Sequence, residues 1–135
     1  MSGQRTNEAE EHGGNNMAVF TSRVYEITHS IPYGKVTTYK HIAVMSGFPN
    51  HSRHVGNAMR DLPPNSTVPW QRVISSAGFI SPRGDDGLSV QRQREALIAE
   101  GVEVMTVAGG GASINAHGGG KEKVDLKRYG WFPEA

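Results

Sequence analysis

Met17, Phe20, Val24 and Ile27 recur every three or four positions, which is helical spacing, and predict a first helix from Met17 to His29. Ser30-Ile31-Pro32 ends it, because proline cannot continue a helix. A tight turn at Gly34 leads to a second start, with Thr37 or Thr38 as N-cap. Tyr39 then falls in the first turn of a helix that runs through Met45 and stops at Gly47. A third helix is expected over about Arg53 to Leu62. Val55, Met59 and Leu62 form one face of it, and Arg53, Asn57 and Arg60 the opposite face. Two helices joined by a short turn, the second presenting two arginines and an amide, form a helix-turn-helix pattern. The pattern is generic: a charged face serves a solvated surface as well as a nucleic acid. Gly56 and Ala58 keep the third helix small. A glycine inside a helix costs about 1 kcal/mol relative to alanine, and close backbone approach to a ligand would account for that cost.

The second half of the chain is less periodic. Pro63-Pro64 closes the third helix, and Val68-Pro69-Trp70-Gln71-Arg72-Val73 follows. On its residues alone this stretch reads as a core tryptophan opening a buried strand, or as an indole presented to a site from a stiff connection. Apolar runs on either side of Ser76-Ala77-Gly78 suggest a small hairpin or wing. Ser81 to Gly87 is an irregular loop. Ser89 is placed as the cap of a fourth helix ending at Glu100, with Gln91, Arg92, Gln93 and Arg94 outward and Leu97 and Ile98 inward. Val102, Val104 and Thr106 alternate as a short strand, and Lys121 to Leu126 as a second, on either side of a glycine-rich loop at 108–120. Trp131 and Phe132 are expected to dock on the domain. Residues 1–16 are polar and aperiodic and are read as a disordered tail, leaving 17–135 as one domain, mainly α with small β elements.

Composition narrows the chemistry. Net charge is only +1 over 135 residues, so nucleic-acid binding would have to come from a local basic face. There is no cysteine, which removes disulfides, thiolate metal sites and any thiol nucleophile. His41, His51 and His54 have no ligand partners at matching spacing, and no metal or other cofactor is expected. No apolar run is long enough to span a bilayer, and no signal-peptide pattern opens the chain. An intracellular monomer is the expectation, nuclear in a eukaryote and otherwise cytoplasmic or nucleoid-associated.

The run Ile31-Pro32-Tyr33-Gly34-Lys35-Val36-Thr37-Thr38-Tyr39 resembles the opening of the DNA-binding part of the O6-alkylguanine-DNA alkyltransferases, and Val68 to Val73 resembles their active-site motif. The matches lie in order from Ile31 to Gly101 and cover the DNA-binding domain only. Trp70 stands where the acceptor cysteine would stand and Gln71 where its histidine would, which is the pattern of the alkyltransferase-like proteins. The resemblance implies a winged-helix-like helix-turn-helix domain set in the minor groove of double-stranded DNA containing O6-alkylguanine. It gives Tyr39 the role of rotating the damaged nucleotide out and Arg53 that of a finger filling the gap, with Gly56, Asn57, Ala58 and Arg60 at the DNA. It implies a lesion pocket of Val68, Pro69, Trp70, Gln71, Arg83 and Gly84, and a match of Glu100 to the glutamate that orients the family's histidine. Arg72 is given a structural role, bridging carbonyls beneath the motif. Leu62 departs from a family asparagine in the turn before the motif. With no thiolate and no general base the chain is expected to be no enzyme but a damage sensor, handing its complex to nucleotide excision repair proteins. A sequence-reading winged-helix regulator is one alternative. A residual alkyl acceptor, or a hydrolase using Glu100, is another.

Overall fold

The computed structural model describes residues 15–107 and 121–134. Helix α1 is Asn15–His29, strand β1 Thr37–Thr38, helix α2 Tyr39–Met45 and helix α3 Ser52–Arg60. A 3-10 turn at Trp70–Arg72 leads into β2, Val73–Ile74, followed by α4 at Leu88–Ala99. Strands β3, Val104–Val107, and β4, Lys121–Val124, then precede a final turn of helix, α5, at Leu126–Tyr129. The expected tail overlaps this order only at Asn15 and Asn16, which open α1. The rest of it, and the loop at 108–120, lie outside the described residues. No helix among the described residues is long and apolar enough to cross a membrane.

The apolar stripes pack as their spacing requires. Phe20 and Val24 of α1, Ile42 and Ala43 of α2, and Val55 and Met59 of α3 meet in one buried cluster. Met17, at the frayed end of the first stripe, is 40% exposed. Thr38 caps α2 by accepting a hydrogen bond from the His41 amide at 3.0 Å. A second cluster of Val36, Ile74, Ile80, Leu97, Val102 and Val124 fills the space between α4 and the strands.

The expected hairpin closes at one rung, the Ser75 amide donating to the Phe79 carbonyl at 3.0 Å, and beyond it the arms part. The turn itself is present: the Gly78 amide donates to the Ser75 carbonyl at 2.9 Å, with Gly78 at φ +91°. But β2 pairs in parallel with β1, Thr37 opposite Val73 and Thr38 opposite Ile74. The other arm goes to β4 instead, through a Phe79–Lys123 bridge and a bond from the Ile80 amide to the Glu122 carbonyl at 2.9 Å. The parallel pair matters for the site: β1 runs directly into α2 at Tyr39, and β2 leaves directly from the Trp70 turn. Two residues of ladder therefore tie these two segments together.

Helix α4 keeps Leu97 inward and Gln91 and Arg92 outward as expected, but Gln93 and Ile98 exchange sides. Its inward positions are Val90, Gln93 and Leu97, a helical i, i+3, i+7 series, so Gln93 is 1% exposed while Ile98 is 44% exposed. Gln93 Nε2 donates to the carbonyls of Gln71 at 3.1 Å and Val73 at 2.9 Å. A buried amide thus holds the turn that carries Trp70. Ser89 is not the N-cap. Gly87 takes that position at φ +85°, and the Asp85 carboxylate accepts from the Ser89 amide and hydroxyl. Those Ser89 hydrogen bonds hold the Asp85 carboxyl below its ordinary value. At the C-terminus the Trp131 amide donates to the Val36 carbonyl at 2.7 Å and the indole packs on the first cluster. Phe132 stays 47% exposed, with its ring edge-on to His41 at 5.2 Å.

Candidate nucleic-acid interface

The capped start of α2, the exposed face of α3 and the segments 75–76 and 81–83 line a groove of about 480 Å³. Tyr39 stands at its α2 side. Arg53, Gly56, Asn57 and Arg60 line it from α3, and Arg83 lines it from the loop after Ile80. Lys40, Ser52, Ser75, Ser76, Ser81 and Pro82 complete the wall. Four cations and no carboxylate line this groove, on a chain whose net charge is only +1. The basic face that the composition required is therefore here, and it suits a polyanion.

Position by position, α3 separates the expected contacts. Arg53, Asn57 and Arg60 are exposed, and Arg60 Nη1 donates to Asn57 Oδ1 at 3.2 Å, which steadies both on the groove wall. Ala58 is corrected. It is only 6% exposed, packs in the first cluster, and its carbonyl accepts from Tyr25 Oη at 2.7 Å. It follows Asn57 by one step, about 100° around the helix, which carries it to the core side. Burial, with the Asp61 charge adding to it, pushes the Tyr25 hydroxyl above its ordinary value, so it remains a donor to Ala58. Gly56 differs from Ala58. A Cβ built there meets nothing within 4 Å, so no protein neighbour requires the glycine. Gly56→Ala is therefore expected to stabilise the fold by up to about 1 kcal/mol through helix propensity. If DNA approaches that backbone, the same methyl weakens duplex binding. Urea unfolding and a duplex titration of one variant read both signs. A variant that gains stability and binds as well as the parent removes Gly56 from the interface.

The expected lesion pocket is more dispersed. Val68 is 8% exposed and belongs to the first core cluster. Pro69 caps the 3-10 turn, and Trp70 is half-buried against the same cluster. None of Val68, Pro69, Trp70, Gln71 and Gly84 lines the groove; Arg83 does. The Arg83 guanidinium lies over the indole of Trp70 at 5.1 Å from the ring centre, between it and the groove. One of its terminal nitrogens, Nη2, is buried and has no hydrogen-bond partner. A donor left in that state is ready to pair with an incoming acceptor. Gly84 is exposed at φ +75° and sets the turn after Arg83.

Behind the Trp70 turn lies a carboxylate hub. Gln71 Nε2 donates to Glu100 Oε2 at 2.8 Å. Arg72 Nε donates to the same carboxylate at 2.9 Å and 3.1 Å, and the Gly34 amide to Glu100 Oε1 at 2.8 Å. Arg72 Nη1 reaches the Ile31 carbonyl at 2.9 Å, so it bridges one carbonyl and one carboxylate rather than carbonyls alone. Burial pushes the Glu100 carboxyl up, but the hydrogen bonds from Arg72, Gly34 and Gln71 and the Arg72 charge outweigh it and hold the group below its ordinary range. Glu100 is therefore an anion fully occupied by donors and turned away from the groove. No group of three or more His, Asp or Glu side chains able to hold a metal ion is found among the described residues.

The four groove cations differ in how far the sequence marks them. Arg53 and Arg60 follow from helical spacing. Arg83 was expected from the resemblance. Lys40 was missed, because a lysine after the first residue of a helix carries no signal of its own. The groove serines were missed for the same reason: Ser75 and Ser76 read as turn formers and nothing more.

Comparison with known proteins places the chain in a family. A family model described as 6-O-methylguanine DNA methyltransferase, DNA binding domain, matches residues 19–102. The chain is 40% identical over 117 residues to the DNA base-flipping protein of Vibrio parahaemolyticus, covering 87% of this chain and 100% of that one. It is 42% identical over 117 residues to Alkyltransferase-like protein 1 of Schizosaccharomyces pombe, covering 87% and 98%. The crystal structure of S. pombe Atl1 in complex with damaged DNA containing O6-carboxymethylguanine superposes with a TM-score of 0.72 at 42% identity, over 84% of this chain and 95% of that one. The chain belongs to the family of the 6-O-methylguanine DNA methyltransferase DNA-binding domain, with the alkyltransferase-like proteins among its relatives.

Proposed function

We propose that this protein detects O6-alkylguanine in duplex DNA by extruding the damaged nucleotide, and that it does not repair the base. The observation that carries the reading is the groove. Tyr39 and Arg53 face one another's elements across a cationic wall, on a chain without a single cysteine. The S. pombe relative was solved with O6-carboxymethylguanine DNA, and two relatives are named for base flipping. In this chain Tyr39, held at the capped start of α2, presses on the backbone beside the lesion. Arg53 enters the stack as the base leaves, since a planar guanidinium both stacks and donates to the orphaned partner base. A base arriving from the groove meets Arg83 first, with Trp70 behind it. The small Gly56 on the groove face of α3 suits the minor groove. A titration of paired duplexes, one carrying a single O6-methylguanine, tests this at stated salt. Tighter binding to the lesion duplex is the expected result, and equal affinity supports a plain winged-helix regulator instead.

Absence of catalysis follows from the atoms present at the motif. An indole carbon cannot replace a thiolate, and the Gln71 amide cannot take a proton near neutral pH. Duplex carrying a labelled O6-methyl group is expected to keep all its label after incubation with the protein. Trp70→Cys is expected to stay inactive, because its thiol has no base. Trp70→Cys with Gln71→His is expected to gain slow uptake, because residue 71 already sits within hydrogen-bond reach of Glu100. Label appearing on the parent protein or on the single variant contradicts this.

The complex formed is non-covalent and leaves the lesion in place, so repair must come from other proteins. Nucleotide excision repair, in the nucleus or nucleoid, is the route proposed, with the protein acting as a monomer.

A further inference from the structure

Beside the groove lies a second cationic feature that the lesion-binding reading does not use. Ser75 and Ser76 line the groove on one side of the wing turn, and Ser81 and Pro82 on the other. Phe79 lies between them, half-buried, on the far arm of that turn. Its ring carries two ammonium groups: Lys121 Nζ at 5.4 Å and Lys123 Nζ at 5.5 Å from the ring centre. Both come from β4, which pairs antiparallel with β3, Val107 opposite Lys121 and Met105 opposite Lys123.

Side chains alternate across a strand, so Lys121 and Lys123 share one face and Glu122 points to the other. There Glu122 is taken up by Arg94 Nε at 3.0 Å and by the Thr106 hydroxyl at 3.0 Å. The carboxylate between the two lysines is thus turned away and neutralised; the next one, Asp125, lines a pocket with Lys123 and Lys127 and accepts from the Lys127 amide, so the cations there outnumber it. A ring face attracts an ammonium without using up its donors, so each Nζ can still donate to an anion. Phe79 places this lysine pair within one turn of the groove serines.

We propose that Lys121 and Lys123, seated on Phe79, form a second phosphate-contacting edge that grips the backbone of the duplex beyond the nucleotide held in the groove. This rests on the DNA-binding reading above. The uncharged turn 75–82 joins the two: its serines line the groove and its Phe79 seats the lysines, so a duplex lying in the groove would pass close to them. Such an edge reads no base. It adds affinity and salt dependence to damaged and undamaged DNA alike.

The test is a salt series of binding titrations on undamaged and O6-methylguanine duplexes, comparing the parent with the double variant Lys121→Gln, Lys123→Gln. The slope of log K against log salt is expected to become shallower by nearly two, about 0.9 for each phosphate released. Affinity near 0.1 M salt is expected to fall by about tenfold or more. The lesion-to-undamaged ratio is expected to stay as it was. The double variant Lys121→Arg, Lys123→Arg keeps both cations and is expected to keep the slope. Arg92→Gln, which removes an exposed cation from α4, is expected to leave the slope at the parent value. An unchanged slope in the glutamine variant overturns the proposal. So does an arginine variant that loses as much as the glutamine one, since packing on Phe79 and not charge would then be at work. A parent that binds no duplex at all sinks the DNA-binding reading together with the edge, whereas a parent that binds normally beside an unaffected glutamine variant sinks the edge alone.

Discussion

Glu100→Ala is expected to destabilise the folded protein by about 3 kcal/mol or more, which is a large part of the stability of a domain this size. The side chain of Glu100 is 6% exposed and that of Arg72 is 15% exposed. Removing the carboxylate strands the Arg72 charge with only the Ile31 carbonyl and the Tyr33 ring as partners, and it frees the Gly34 amide and the Gln71 side chain. The loss is larger than the pair's net worth, because an uncompensated buried charge and unpaired donors are left behind. The same carboxylate gives the fold an acid limit. Its folded value lies below its unfolded one of about 4.3, so its contribution is present above that pH. It is lost as pH falls through the folded value. Urea unfolding at pH 7 and pH 3 is expected to show a smaller pH-dependent loss in Glu100→Gln than in the parent. Equal losses in both would place the acid sensitivity elsewhere.

Arg53→Ala is expected to weaken binding to O6-methylguanine duplex by roughly 30- to 100-fold, or about 2–3 kcal/mol. Extruding a nucleotide costs a few kcal/mol in lost stacking and pairing, and in the finger role proposed for it the Arg53 guanidinium would recover much of that by filling the gap. Undamaged duplex, whose bases the proposed reading leaves stacked, is expected to lose only the electrostatic part, several-fold at moderate salt. The ratio of the two affinities therefore falls. A variant whose affinities fall in equal proportion makes Arg53 a phosphate contact and not a finger. Arg53 is exposed on α3 and lines the groove, so its removal is not expected to disturb the core.

The sequence was most legible where one face of a helix is simply apolar. Phe20 and Val24, then Val55 and Met59, are buried because a 3.6-residue period leaves them no other side. It was least legible where polar atoms enter the interior. Gln93 has no apolar signal, and only the carbonyls of Gln71 and Val73, twenty or more residues away, explain its burial. Ala58 was misplaced by reasoning from size alone; its angular position on α3, one step from Asn57, puts it inside. The parallel pairing of β1 with β2 is a contact between segments 36 residues apart, and two-residue strands have no period to read. Of the site, Tyr39, Arg53, Asn57, Arg60 and Arg83 were marked by spacing or by resemblance and come together in the groove. Lys40 and the serines joined them through tertiary structure alone. Val68 and Gln71 sit behind the groove instead of in it, because the Trp70 turn is held from below by Gln93 and Glu100.

The most direct test follows the alkyl group itself. A duplex carrying one O6-methylguanine with a 13C-labelled methyl gives a single carbon signal whose shift reports both its bonding and its surroundings. On adding the protein, this signal is expected to stay in the oxygen-bound methyl range and to move upfield under the ring current of Trp70, a movement lost in Trp70→Leu. A signal that keeps its free-duplex position in a saturated complex, or one that appears in the sulfur- or carbon-bound range, contradicts it.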